Sequence, residues 1–210
     1  MVVFVACVKH PLDSKSYRTV WELLNNTLFS VCNQTDRNFK VVVVCNEILP
    51  LLHNSELIIP HTEFVKVDFP RPGMAGRRNL CRLGNLSPPP GDETWEEKGQ
   101  FSEQLIVPRM NIRIDKGTKI LTGLLAAEKH YPDYIVLLDA DDFVLKDLVE
   151  YIHKHKGGDG WIMSHGYRML GKSLTPIHKE DSFCGTGNTI LFEHLTKKIS
   201  PSLSVGSSQE

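Results

Sequence analysis

Three features of this 210-residue chain predict an α/β fold built round a parallel sheet. Two apolar, β-branched runs, "VVFVACV" (2–8) and "FKVVVVCN" (39–46), lie either side of a helical pattern. A third run, "YIVLLDADDFV" from Tyr134, follows another helical segment. Uninterrupted apolar strands are those covered on both faces of a sheet. Strand, helix and strand in that order imply a right-handed βαβ unit.

The first strand, 2–8, ends at the turn "KHPLD". From Ser14, with Asp13 or Ser14 available as N-cap, Val20, Leu24, Leu28 and Val31 recur at helical spacing until "NQTDRN" breaks the pattern. The second strand, 39–46, is buried, and "EFVKVDF" (63–69) alternates as a half-exposed third strand does. Residues 70–112 are rich in proline and glycine and read as a long insert covering a cleft, in which "FSEQLIVPRM" (101–110) can form a short element. Arg71, Arg77, Arg78 and Arg82 there can grip phosphates, and Trp95 and Phe101 can stack on a sugar, or the loop's charges are merely solvated. "DKGTKILTGLLAAEKHYPD" (115–133) resumes as a helix, with Ile120, Leu124 and Ala127 on one side and a stop before Pro132. After the third apolar run come a helix in "LKDLVEYIHKHKGGDG" closed by glycines, a strand in "WIMSHGY", and a strand or strand-to-helix junction in "TILFEHL". Trp21 and Trp161 are expected in the core. The length suits a single domain over 1–200, with 201–210 a loose polar tail.

Composition narrows the setting. With 41% hydrophobic and 23% charged residues and a net charge of -1, the chain lacks the basic excess needed to track a phosphate backbone, so nucleic acid is not an expected partner. Five cysteines, odd in number and without C-x-x-C spacing, suggest free thiols in a reducing compartment. No apolar run is long enough to cross a membrane and the first residues do not resemble a signal peptide, so a cytoplasmic location is expected.

The apolar run from Tyr134 passes straight into Asp139, Asp141 and Asp142. In open α/β sheets ligands bind at the carboxyl ends of strands, where these acids fall. Side chains alternate along an extended backbone, so Asp139 and Asp141 can point the same way, about 7 Å apart. Two such charges repel unless a cation bridges them. Oxygen ligands suit Mg²⁺ or Mn²⁺, which take one or two carboxylates and complete their shell with water and substrate phosphates. The plain alternative is a solvated turn in which Asp142 caps the next helix.

Together these segments resemble the GT-A glycosyltransferases, close to the family-2 type. The features are a first strand ending in "ACVKHP", then "SVCNQTDRNFKVVVVCNE" with Ser30, Gln34, Thr35 and Glu47 in the family's order, then an aspartate-x-aspartate motif in "VLLDADDFV". The likeness covers approximately residues 2–46 and 115–192, and the order and spacing of its parts are more specific than the aspartate motif alone. It implies a GT-A fold, a Rossmann-like mixed sheet with helices on both faces, which moves a sugar from a nucleotide-diphosphate sugar to a glycan or other hydroxyl acceptor with Mn²⁺ or Mg²⁺. By the same resemblance Asp141 binds the metal, and Asp139 contacts the donor's ribose or the metal. Val8 to His10, Asn46 and Glu47 match the nucleotide pocket. Lys116 and Lys119, with Arg113 and Asp115 nearby, match the segment that neutralises diphosphate charge; a solvated helix face is the other reading of the two lysines.

"HKEDSFCGTGNTILF" (178–192) is a second dense stretch. Gly185 and Gly187 allow close backbone approach, and Glu180 and Asp181 form a late acidic pair. An inverting transfer needs a carboxylate base, for which Asp181 is the candidate, although the family places its pair after the strand that "CGTGNTILF" resembles rather than before it. His165, His178 and His194 are alternative ligands or bases. Two other functions fit parts of the pattern. A buried strand ending in aspartate-x-aspartate also opens haloacid-dehalogenase-like phosphohydrolases, where the motif lies near the N-terminus and Thr or Val follows where Phe143 stands here. The third reading is a sugar-nucleotide binder without catalysis.

Overall fold

A computed structural model of the chain describes residues 1–69, 103–163, 165–171, 173–178 and 188–199. Its centre is a mixed, largely parallel six-stranded sheet in the order β3-β2-β1-β4-β8-β5. The apolar runs make three of the four parallel strands: β1 (Val2–Cys7), β2 (Phe39–Cys45) and β4 (Tyr134–Asp139). β1 pairs in parallel with both β2 and β4, so that Cys7 faces Val44 on one side and Asp139 on the other. β3 (Thr62–Lys66) is the half-exposed parallel edge. On the other flank β8 (Asn188–Leu191) runs antiparallel to β4, and β5 (Gly160–Ile162) closes the sheet antiparallel to β8.

Alternation sorts the strand residues between two cores. Val2, Phe4, Ala6 and Val8 meet Trp21, Leu24 and Leu28 of α1 (Tyr17–Cys32), Ile58 of α2 (Ser55–Ile58), and Val149 and Ile152 of α4 (Leu148–Lys154). Val3, Val5, Val42 and Val44 meet Leu124 and Ala127 of α3 (Glu103–Ala127), with Phe192 and Leu195 of α5 (Phe192–Ile199) beside them. Helices thus cover both faces, giving a Rossmann-like α/β architecture. Trp21 is buried and Trp161 is partly buried against the first core.

Three local expectations are corrected. The N-cap of α1 is Ser16, whose Oγ accepts from Thr19 N at 3.2 Å; Pro11–Asp13 instead form a 3₁₀ turn capped by His10. Fixed-φ Pro11 starts that turn and delays the helix. The helix read as 115–133 runs from Glu103 to Ala127, so residues 103–112 of the expected insert are its first turns and its end precedes Pro132 by five positions. "WIMSHGY" divides between β5 and β6 (His165–Leu170), and β6 forms an antiparallel hairpin with β7 (Ser173–His178). Residues 70–102, including Arg71, Arg77, Arg78, Arg82, Trp95 and Phe101, lie outside the described residues, as do Glu180, Asp181, Gly185 and Gly187.

Candidate functional site

The strand order reverses between β1 and β4: the chain leaves β1 for β2 and β3 on one side and returns on the other through α3. Open α/β sheets bind ligands at such a switch point, outside the carboxyl ends of the strands. A cleft of about 230 Å³ opens there, lined by Cys7, Val8 and Lys9 after β1, Val20 and Leu23 of α1, Asp115, Lys116 and Lys119 of α3, and Asp139, Ala140 and Asp141. A larger hollow of about 430 Å³ lies at the opposite end of the sheet, where Asp133 is matched by the Met1 ammonium and Lys156. Its lining carries fewer charged side chains than the first: Asp133, Lys156 and Glu193.

In the cleft, three ammonium groups (Lys9, Lys116, Lys119) meet three carboxylates (Asp115, Asp139, Asp141). Lys116 Nζ pairs with Asp139 Oδ1, joining α3 to the tip of β4. Lys119 is fully buried; its Nζ donates to Val8 O and to Asp115 Oδ2, each at 2.9 Å. A charge that deep is tolerated only when paired and hydrogen-bonded. Asp115 is itself 10% exposed, and its Oδ1 has no hydrogen-bond partner in the structure. Beside them burial pushes the Cys7 thiol up to about 12, against the pull of Lys119 and Lys116, so it is no nucleophile at neutral pH.

Asp141 stands on the exposed rim of the turn that follows β4. Its carboxyl pKa is raised, first by partial desolvation and then by the negative charges of Asp142 and Asp139, with Lys116 opposing. A cation at this point would relieve that repulsion. Among the described residues, no group of three or more His, Cys, Asp and Glu side chains is arranged to hold a metal ion.

The remaining candidates are more dispersed. His10 is buried, and its Nδ1 accepts from Leu12 N at 3.2 Å. Asn46 follows β2 and donates from Nδ2 to Phe69 O (3.2 Å) and Val67 O (3.4 Å), while its buried Oδ1 is unpartnered. Glu47 is exposed, and its carbonyl accepts from the Tyr17 hydroxyl at 2.7 Å. None of these three lines the 230 Å³ cleft. His194 binds Asp159 at 2.8 Å, beyond the end of β4 that lies opposite Asp139. Cys7, Val20 and Leu23 were not among the sequence candidates; they enter the wall through β1 and α1, where the apolar pattern marks Cys7 and Val20 only as core and leaves out Leu23, which is exposed.

Comparison with known proteins adds little. No protein-family model matches the chain, and no curated protein matches it. Among solved structures it is similar to S. aureus TarS 1-349, with a TM-score of 0.45 and 12% identity over 95% of this chain and 49% of that one. It is also similar to S. aureus TarS, with a TM-score of 0.46 and 12% identity over 94% of this chain and 29% of the other. The chain thus spans about half of the first and less than a third of the second. Likeness at this level assigns neither a family nor an activity.

Proposed function

We propose that the chain is a GT-A-type glycosyltransferase that uses Mn²⁺ or Mg²⁺ to transfer a sugar from a nucleotide-diphosphate donor to a hydroxyl acceptor. The observation that carries the reading is the cleft at the switch point, where acids from the tip of β4 and lysines from α3 converge. Asp141, with Asp139, would hold the ion jointly with the donor's diphosphate. When bound, the ion supplies charge neutralisation to the departing diphosphate, worth several kcal/mol. Lys116, already oriented by Asp139, adds a point charge from the other wall. Lys119 adds positive charge from below and fixes the Val8 carbonyl. Val8, His10, Asn46 and Glu47 lie on the loops that follow β1 and β2, where the nucleoside is assigned. Asp181 is the proposed base for the acceptor hydroxyl.

Calorimetry with UDP and GDP, with and without Mn²⁺, tests this. We expect affinity for at least one nucleotide that requires the metal, and its loss in Asp141→Asn at unchanged melting temperature. Equal affinity in the variant would refute the site. Hydrolysis of a nucleotide sugar then separates a transferase from a non-catalytic binder, and turnover of a simple phosphate ester would replace both with a phosphohydrolase.

A further inference from the structure

The segment that leaves the acidic turn has no helix or strand until α4 begins at Leu148. Phe143 and Leu145 are 54% and 74% exposed, so those two side chains do not anchor it. Its backbone is held from the end of α1. Gln34, only 4% exposed, uses both ends of its amide: Nε2 donates to Leu145 O at 2.8 Å and Oε1 accepts from Val149 N at 3.0 Å. Ser30 Oγ accepts from Val144 N at 3.3 Å, and Thr35 N donates to Lys146 O at 2.8 Å. Farther along, Thr35 Oγ1 donates to Glu150 Oε2 at 2.8 Å. α4 has no side-chain cap of its own at Asp147, so Gln34 supplies one from the turn that follows α1.

We infer that Gln34 is a positioning residue for the cleft: through Leu145 and Val149 it fixes the exit of the turn that follows Asp139 at the tip of β4 and carries Asp141. The inference rests on the proposed function, because it concerns what those acids bind. A turn bearing three acids tends to spread, and spreading spoils the shared grip on an ion. Holding it in advance removes that ordering cost from binding. A buried amide with both ends bonded is a strong hold, since breaking it leaves backbone groups unsatisfied.

The test compares wild type, Gln34→Glu and Ser30→Ala. Gln34→Glu keeps the shape but turns a carboxylate oxygen toward Leu145 O; Ser30→Ala removes a weaker tether and decides the matter alone should Gln34→Glu not fold. Hydrogen exchange is read without ligand at the amides of Val144 and Val149, with Phe4 and Val42 as controls. Calorimetry then reads Mn²⁺-dependent UDP or GDP affinity. In Gln34→Glu, whose carboxylate still accepts from Val149 N but no longer donates to Leu145 O, we expect exchange at Val144 to quicken about tenfold with Val149 unmoved, and metal-dependent affinity to fall about tenfold, as losing one hydrogen bond implies. Ser30→Ala, which removes the acceptor of Val144 N, should quicken exchange there at least as much and weaken metal-dependent affinity by less, with the control amides and any metal-independent nucleotide affinity unmoved. Unchanged exchange, or quickened exchange with wild-type affinity, overturns the inference. A wild type without metal-dependent affinity overturns the proposed function first, and is distinguished because it is seen before any variant is made.

Discussion

Lys119 sits where its ammonium has no water, held by one backbone carbonyl and one carboxylate. Removing one partner of a buried pair strands the other, at a cost of about 3–5 kcal/mol. Urea unfolding of Lys119→Met should show that loss, and Asp115→Asn in the same chain should recover much of it; a single variant as stable as wild type would contradict this account. The sequence shows the i,i+4 spacing of Asp115 and Lys119, but their burial depends on Val8 O, a partner 111 residues away. The acids were legible for the opposite reason: charge directly after five apolar positions is anomalous locally. A second residue-level test concerns Asp36. Its carboxyl pKa is lowered by the hydrogen bond from His153, then by that from Asn38 N. Its stabilisation is therefore fully present above the ordinary aspartate value of about 3.9 and is lost as pH falls through the lowered one. Below about pH 4 the melting temperature of wild type should fall more steeply than that of Asp36→Asn; parallel curves would contradict the assignment.

At the level of elements, α3 lies close to the sheet because Gly123 allows it. A Cβ there would collide with Val5 Cγ1 and press on Val44 Cγ2 at 3.2 Å. Both neighbours are β-branched side chains in buried strands, with little room to turn. Gly123→Ala should lower stability by about 1–3 kcal/mol despite alanine's better helix propensity. Chemical denaturation measures it, and a stabilised variant would show that helix and sheet can separate freely. The helix's C-terminal half was legible from Ile120, Leu124 and Ala127, whereas Pro108 masked its beginning, since proline usually breaks a helix interior. The β6–β7 hairpin was obscured in the same way. Pro176 weakens a strand reading, and Gly171, with φ 60, makes a turn that composition alone does not locate. One hairpin face pairs Tyr167 with Pro176 and Met169 with Leu174, an apolar surface exposed at Tyr167, Met169 and Leu174.

Across the whole molecule, three parallel strands followed from their apolar runs, and helices on both faces were part of the family resemblance. The antiparallel insertion of β8 between β4 and β5 was not legible, because it rests on pairing between segments far apart in sequence. The reversal of strand order lies on the other side of β4, between β4 and β1, where the cleft opens. In the proposed function a divalent ion and a diphosphate meet there. The most direct measurement is anomalous scattering from a crystal grown with Mn²⁺ and the nucleotide that calorimetry selects. A manganese peak is expected at the Asp141 and Asp139 carboxylates, with the diphosphate between that peak and Lys116. A nucleotide bound elsewhere, or a cleft with neither ion nor phosphate at saturating concentrations, would contradict it.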